Sequence, residues 1–159
     1  MSDLNTIVNF NMALARETEN RTLNVQVLES GVEALLKDAG KGWYAVAERS
    51  FQDGRLIVVG QILITFEWSD WRNGNFWWLQ SVFVHPDQRQ QHIFRQLYEY
   101  VQGQAHLNRE PICGYRLYVE EKNIQAHQAY AKLGFQKTAY HMYEKEFSWT
   151  SPSFLQSIE

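Results

Sequence analysis

The stretch Ser81-Val-Phe-Val-His-Pro-Asp-Gln-Arg-Gln-Gln-His-Ile-Phe94 changes its period midway, and that change decides how the rest of the chain is read. Up to His85 the residues suit a strand, and Pro86 ends it by fixing φ and offering no N–H to a ladder. Past the polar loop Pro86-Asp-Gln-Arg89, the residues Ile93, Phe94, Leu97, Tyr98 and Val101 recur on one face of a helix expected over 90–106. A strand feeding a loop and then a helix brings the unpaired first-turn N–H groups and the positive helix end to one point. Such a point binds phosphate, and Arg89 adds a fixed, two-pronged charge, so a pyrophosphate is the natural guest. A plain structural crossover has the same local look.

Working outward, 76–85 is expected to be the third strand of a meander with 43–48 and 56–68. Asp53-Gly54 is a hairpin signal between the first two, and Asp70-Trp-Arg-Asn-Gly74 turns the chain into the third. Gly60 inside the long second run marks a bend or bulge. Two helices open the chain: Ile7, Phe10 and Leu14 share one stripe, and Leu28, Val32, Leu35 and Leu36 share another that ends near Gly40. The acidic stretch 17–22 reads as their connection. Downstream, 115–120 reads as a strand, followed by Asn123 as an N-cap and an apolar helix face of Ala126, Ala129, Tyr130 and Leu133, closed by Gly134. A last strand is expected over 138–147, and 148–159 is a tail. The fold class is α/β or α+β, one domain over 1–147 with a mixed, mostly antiparallel sheet flanked by helices.

Bulk properties fit this reading. A chain of 159 residues can bury one core, and 45% hydrophobic with 21% charged residues places it among folded globular proteins. Fifteen basic against 18 acidic residues leave a net charge of -3, which offers no general attraction to nucleic acid or an anionic membrane. Cys113 is the single cysteine, so no internal disulfide can form, and it reads as a buried apolar thiol before a nucleophile. With no basic head before an apolar run and no 18-residue apolar stretch, a cytoplasmic protein is expected.

Three segments and one leucine together resemble the GNAT acetyltransferase superfamily: Val82-Phe-Val-His-Pro-Asp-Gln-Arg89 with Leu97, Leu117-Tyr-Val-Glu-Glu-Lys-Asn123, and Ala129-Tyr-Ala-Lys-Leu-Gly-Phe135. The resemblance implies acetyl-CoA as cofactor, no metal, and an N-acetyltransferase acting by direct attack of a primary amine, small molecule or protein, on the thioester. It further implies that Val82, Phe83 and Val84 hold the pantetheine arm and that Arg89, Gln90, Gln91, His92, Ile93 and Phe94 wrap the pyrophosphate. Asn123 would contact the arm, and Tyr130 would reprotonate the departing thiolate, a transfer suited to a phenol with pKa near about 10. Core packing is the competing reading of Tyr130. His92 and Phe94 depart from the family pattern, which has Gly, then Gly or Ala. His92 would obstruct the backbone's approach to the anion or add a donor to it, with a plain surface histidine that does neither as the competing reading.

The amine must also lose a proton. Where some relatives carry a Glu this chain has Gln80, so Glu67 is the expected base, with Glu120 a further candidate and a solvated surface carboxylate the competing reading of both. Glu17, Asp70 and Trp71 are expected to bind a cationic acceptor, with Trp68, Trp77 and Trp78 either walling the pocket or capping the core. Relatives usually open with a short strand, whereas here the first helix is expected almost from Met1; an absent edge strand would leave an edge for another subunit, as in a homodimer, or the tail to cover. A catalytically silent acyl-CoA-binding or regulatory module is the alternative function. Nucleic-acid binding is not expected, since no basic stripe interleaves with the tryptophans.

Overall fold

The computed structural model, which describes residues 3–145, opens with helices α1 (Leu4–Glu19) and α2 (Val25–Lys37). Strands β1 (Trp43–Ser50), β2 (Leu56–Ser69) and β3 (Gly74–Val84) follow, then a 3-10 turn at Pro86–Gln88, helix α3 (Ile93–Leu107), strand β4 (Ile112–Leu117) and helix α4 (Ile124–Lys132). Two compact units result, Met1–Asn123 with the sheet and the first three helices, and Ile124–Glu159 with α4.

The sheet has the order β1-β2-β3-β4. Its first two pairings are antiparallel and the last, β3 with β4, is parallel, which makes the expected mixed, mostly antiparallel sheet. Alternation sends Ile62, Ile64, Trp77 and Leu79 to the face that Leu97 and Val101 of α3 cover. A fully buried aliphatic of this kind contributes roughly 1.5–3 kcal/mol. Gly60 is where α3 comes closest: a Cβ there would lie 3.0 Å from Ile93 Cγ2 and 3.1 Å from the Phe83 carbonyl oxygen. The β1–β2 register also slips beside it, after Ala47, so the expected bulge is present. Ile7, Val8 and Phe10 of α1 cover the other face, with the Phe10 and Phe83 rings 4.8 Å apart.

Four departures from the sequence reading exceed two residues. Helix α1 takes in residues 17–19 of the expected connection, because Asn20 adopts the left-handed backbone (φ 51°) and the Arg21 N–H closes on the Ala15 carbonyl at 3.1 Å. Helix α3 starts at Ile93, not residue 90, because Gln90 and His92 are both left-handed (φ 62°) and cannot continue a right-handed turn. Strand β4 lies three residues earlier than expected, set by its pairing with Asn75–Leu79 of β3. No strand occupies 138–145, the described part of the expected final strand; Tyr140, Met142 and Tyr143 are exposed there. Aromatic alternation marks a strand only where a partner ladder exists, and alternation alone cannot supply one. Residues 146 and 147 and the expected tail lie outside the described residues. Among the described residues no strand precedes α1, which leaves β1 at the sheet edge.

Candidate active site

Strand β3 is paired on both sides only in its first half. β4 accompanies it from Asn75 to Leu79, and among the described residues no strand continues on that side. At this point β3 bulges: Gln61 lies opposite Phe83 but Leu63 lies opposite Gln80, so β3 carries an extra residue, and Ser81 takes a left-handed backbone (φ 45°). Beyond the bulge the His85 N–H donates to the Val59 carbonyl at 2.9 Å, which fixes the alternation. Phe83 turns its backbone to β2, while Val82 and Val84 turn theirs to the open side. Of the expected arm-binding triplet, then, Val82 and Val84 present polar backbone groups, and Phe83 is committed to β2 and, through its ring, to Phe10.

The open edge runs into a loop held from outside. Arg49, at the end of β1, donates to Gln88 Oε1 at 2.5 Å and to Gln91 Oε1. Arg89 donates from Nε to the Val84 carbonyl at 3.1 Å and grips both carboxylate oxygens of Glu17 at 2.7 Å. That hydrogen-bonded pairing holds the Glu17 carboxyl below its usual range and raises Arg89 above its own. Two left-handed non-glycine residues cost on the order of 1–2 kcal/mol each, and these anchors offset that cost. The backbone at His92 is therefore already in the conformation for which glycine is the easy choice, with the imidazole exposed and making no cap bond to the first turn of α3. Ile93 packs at Gly60 and Phe94 is half-buried, so the apolar side of the first turn faces the sheet.

On the opposite side of the bulge, a cavity of about 520 Å³ opens between α1 and α2 above the sheet. Leu14, Leu28, Val32, Leu35 and Leu63 line it, and Ser81 borders it, so cavity and open edge meet at one residue. Its floor is polar. Asn11 Nδ2 donates to the Tyr44 hydroxyl at 3.0 Å, and the buried Gln61 donates from Nε2 to Asn11 Oδ1 at 2.8 Å and to the Ser81 carbonyl at 3.2 Å. Gln61 Oε1 is buried without a partner. Burial pushes the Tyr44 phenol up despite its hydrogen bonds with Asn11 and Ser81, which keeps the hydroxyl neutral.

The expected acceptor residues do not converge. Glu17 is tied by Arg89 to the Val84 end of β3, whereas Asp70 and the 86% exposed Trp71 form the turn before its Gly74 end. That 11-residue strand puts roughly 30 Å between them. The tryptophans do not form one wall either. Trp77 is buried against Trp43, and Trp78, its neighbour on the opposite face, stacks on Tyr118 with centroids 4.5 Å apart. Glu67 is held by Arg116 and, at 2.5 Å, by Trp78 Nε1. Desolvation raises its pKa, but the Arg116 and Trp78 bonds outweigh it, so the carboxyl sits below its ordinary range. Asn123 stands just before α4, its N–H donating to the Glu120 carbonyl at 3.0 Å. In α4, burial pushes the Tyr130 phenol up, and its ring meets Phe135 with centroids 5.9 Å apart.

Sequence reading missed Arg49, Asn11, Tyr44, Gln61 and Ser81. A signal existed for Gln61: one amide in the apolar run Ile57-Val-Val-Gly-Gln-Ile-Leu-Ile64 invites a search for its partners. Arg49 carried none, since its role depends on a loop some 40 residues away. Among the described residues no cluster suited to a metal occurs, and no helix is long and apolar enough to cross a membrane.

Residues 9–135 match the family model described as acetyltransferase (GNAT) family. Among solved structures, a possible acetyltransferase from Clostridium difficile 630 is 44% identical, with 92% of this chain and 93% of that one covered and a TM-score of 0.78. A ribosomal-protein-alanine N-acetyltransferase from Brucella melitensis biovar Abortus 2308 shares the fold at 17% identity, covering 92% and 94% with a TM-score of 0.64. Glucosamine-6-phosphate N-acetyltransferase from Arabidopsis thaliana does so at 14%, covering 91% and 93% with a TM-score of 0.66. A search of curated proteins gives no match.

Proposed function

The chain belongs to the acetyltransferase (GNAT) family, and from that premise we propose that it is an N-acetyltransferase that uses acetyl-CoA and a primary amine acceptor. The observation that carries this reading is the meeting, at Ser81, of an open strand edge and a separate cavity: one side suits an extended amide-bearing donor, the other an acceptor. The matched span crosses from one unit into the other, which supports one domain built from both.

Acetyl-CoA, when bound, supplies the acetyl group as an activated thioester. Val82 and the Val84 N–H offer backbone groups to the amides of the pantetheine arm, and the first turn of α3 offers its N–H groups and positive end to the pyrophosphate. Arg89 acts by shaping this loop, since Glu17 fills its guanidinium fork. The Tyr130 hydroxyl would give its proton to the sulfur that leaves as the amine takes the acetyl group and a C–N bond replaces C–S. Removal of the ammonium proton falls less naturally to Glu67, whose anion Arg116 and Trp78 stabilise, than to water at the hydroxyl-lined floor of Tyr44 and Ser81.

Calorimetric titration with coenzyme A, followed by acetyl-CoA turnover on a panel of primary amines, tests the proposal. Binding and turnover are expected, and Tyr130→Phe should lower kcat about a hundredfold with affinity for coenzyme A kept. Binding without turnover of any amine would instead identify a silent acyl-CoA-binding module, and no binding would refute both.

A further inference from the structure

The α1–α2 cavity carries information about the acceptor that the expected cationic pocket does not. Its walls are aliphatic, from Leu14 and Leu23 to Val27, Leu28 and Leu35, and its charged lining residues, Glu19 and Arg21, are of opposite sign and exposed. The carboxylate of Glu17 is occupied by Arg89. A molecule with several ammonium groups would have to desolvate the remote ones against leucine and valine, which is unfavourable. A molecule with one amine and an apolar body would bury that body and bring its single nitrogen to the polar floor.

Gly31 points the same way. It stands in the middle of the 13-residue helix α2, where glycine is a poor helix former, and its backbone is not left-handed. A Cβ there would meet nothing within 4 Å, so no close approach requires the glycine. It lines the cavity, where a larger side chain would occupy the space.

We propose that the cavity selects primary amines with an apolar body, of the alkyl or arylalkyl class, and that Gly31 sets the size it admits. This rests on the acetyltransferase reading above. The test compares acetylation of 2-phenylethylamine and hexylamine with that of spermidine by the wild type, Gly31→Ala, Gly31→Leu and Gly103→Leu. Gly103 of α3 has equally open surroundings and is not part of the cavity lining, so it controls for a helical glycine becoming leucine. The apolar amines should exceed spermidine in kcat/KM by about tenfold or more, and Gly31→Leu should raise their KM by a similar factor. Its coenzyme A affinity and melting temperature should not fall, and Gly31→Ala should melt higher than the wild type. A preference for spermidine, or a Gly31→Leu effect no larger than that of Gly103→Leu, would overturn the inference while coenzyme A binding persisted. Loss of coenzyme A binding in the wild type would overturn the acetyltransferase reading and this inference together.

Discussion

The two halves of β3 are built from similar residues and do opposite things. From Asn75 to Leu79 the strand has neighbours on both sides, and its side chains close into finished contacts: Trp77 on Trp43, and Trp78 donating to Glu67, which also holds Arg116. From Gln80 to Val84 it has a strand on one side only, a left-handed kink at Ser81, and a loop whose shape depends on Arg49 and Glu17 from elsewhere in the chain. The first half satisfies its polar groups internally and is a frame. The second leaves backbone groups for a guest. What separates them is one extra residue in the strand, which ends the pairing with β4.

The comparison breaks most visibly at the loop. Replacing Arg49 and Arg89 together by alanine should weaken coenzyme A binding by about tenfold or more, measured by calorimetry, because the left-handed residues lose the contacts that hold them. The melting temperature should fall little, since both arginines make their contacts at the solvent-exposed surface. Unchanged affinity would show that the loop keeps its shape without them.

In the framing half the expected effect is smaller and of another kind. Glu67→Gln should keep kcat within about threefold, because a carboxylate stabilised as an anion is a weak base, while the melting temperature drops by a few degrees at most, the ion pair being partly exposed. A fall in kcat of about a hundredfold at constant coenzyme A affinity would return the base to Glu67 and join the two halves functionally.

His92→Gly should have the slightest effect. Relief of the left-handed strain, set against the greater freedom of glycine in the unfolded chain, predicts a gain of no more than about 1 kcal/mol in stability. Coenzyme A affinity should stay within about threefold, given a backbone already in the glycine conformation and a site built on main-chain N–H groups. Clear weakening with stability intact would mean that the imidazole itself donates to the phosphate.

Much of this was legible beforehand. The hairpin at Asp53-Gly54, the bulge at Gly60 and the strand, loop and helix around Arg89 follow from turn chemistry and from a period that switches between two and 3.6. The acceptor residues were not. Glu17, Asp70 and Trp71 share the right chemistry but lie at opposite ends of β3, and composition carries no distance. Arg89 was read as an anion ligand because nothing in the sequence reveals that Glu17, 72 residues away, is its partner.

By itself, then, the sequence determined the elements from α1 to α4, their order and the family, since periodicity, turn residues and short motifs act over a few neighbouring positions. Only the tertiary structure decided that His92 keeps the backbone of a glycine, that the guanidinium of Arg89 is already taken, and that a cavity meets the strand edge at Ser81. These depend on groups brought together from distant parts of the chain, where packing and charge pairing, rather than local preference, set the outcome.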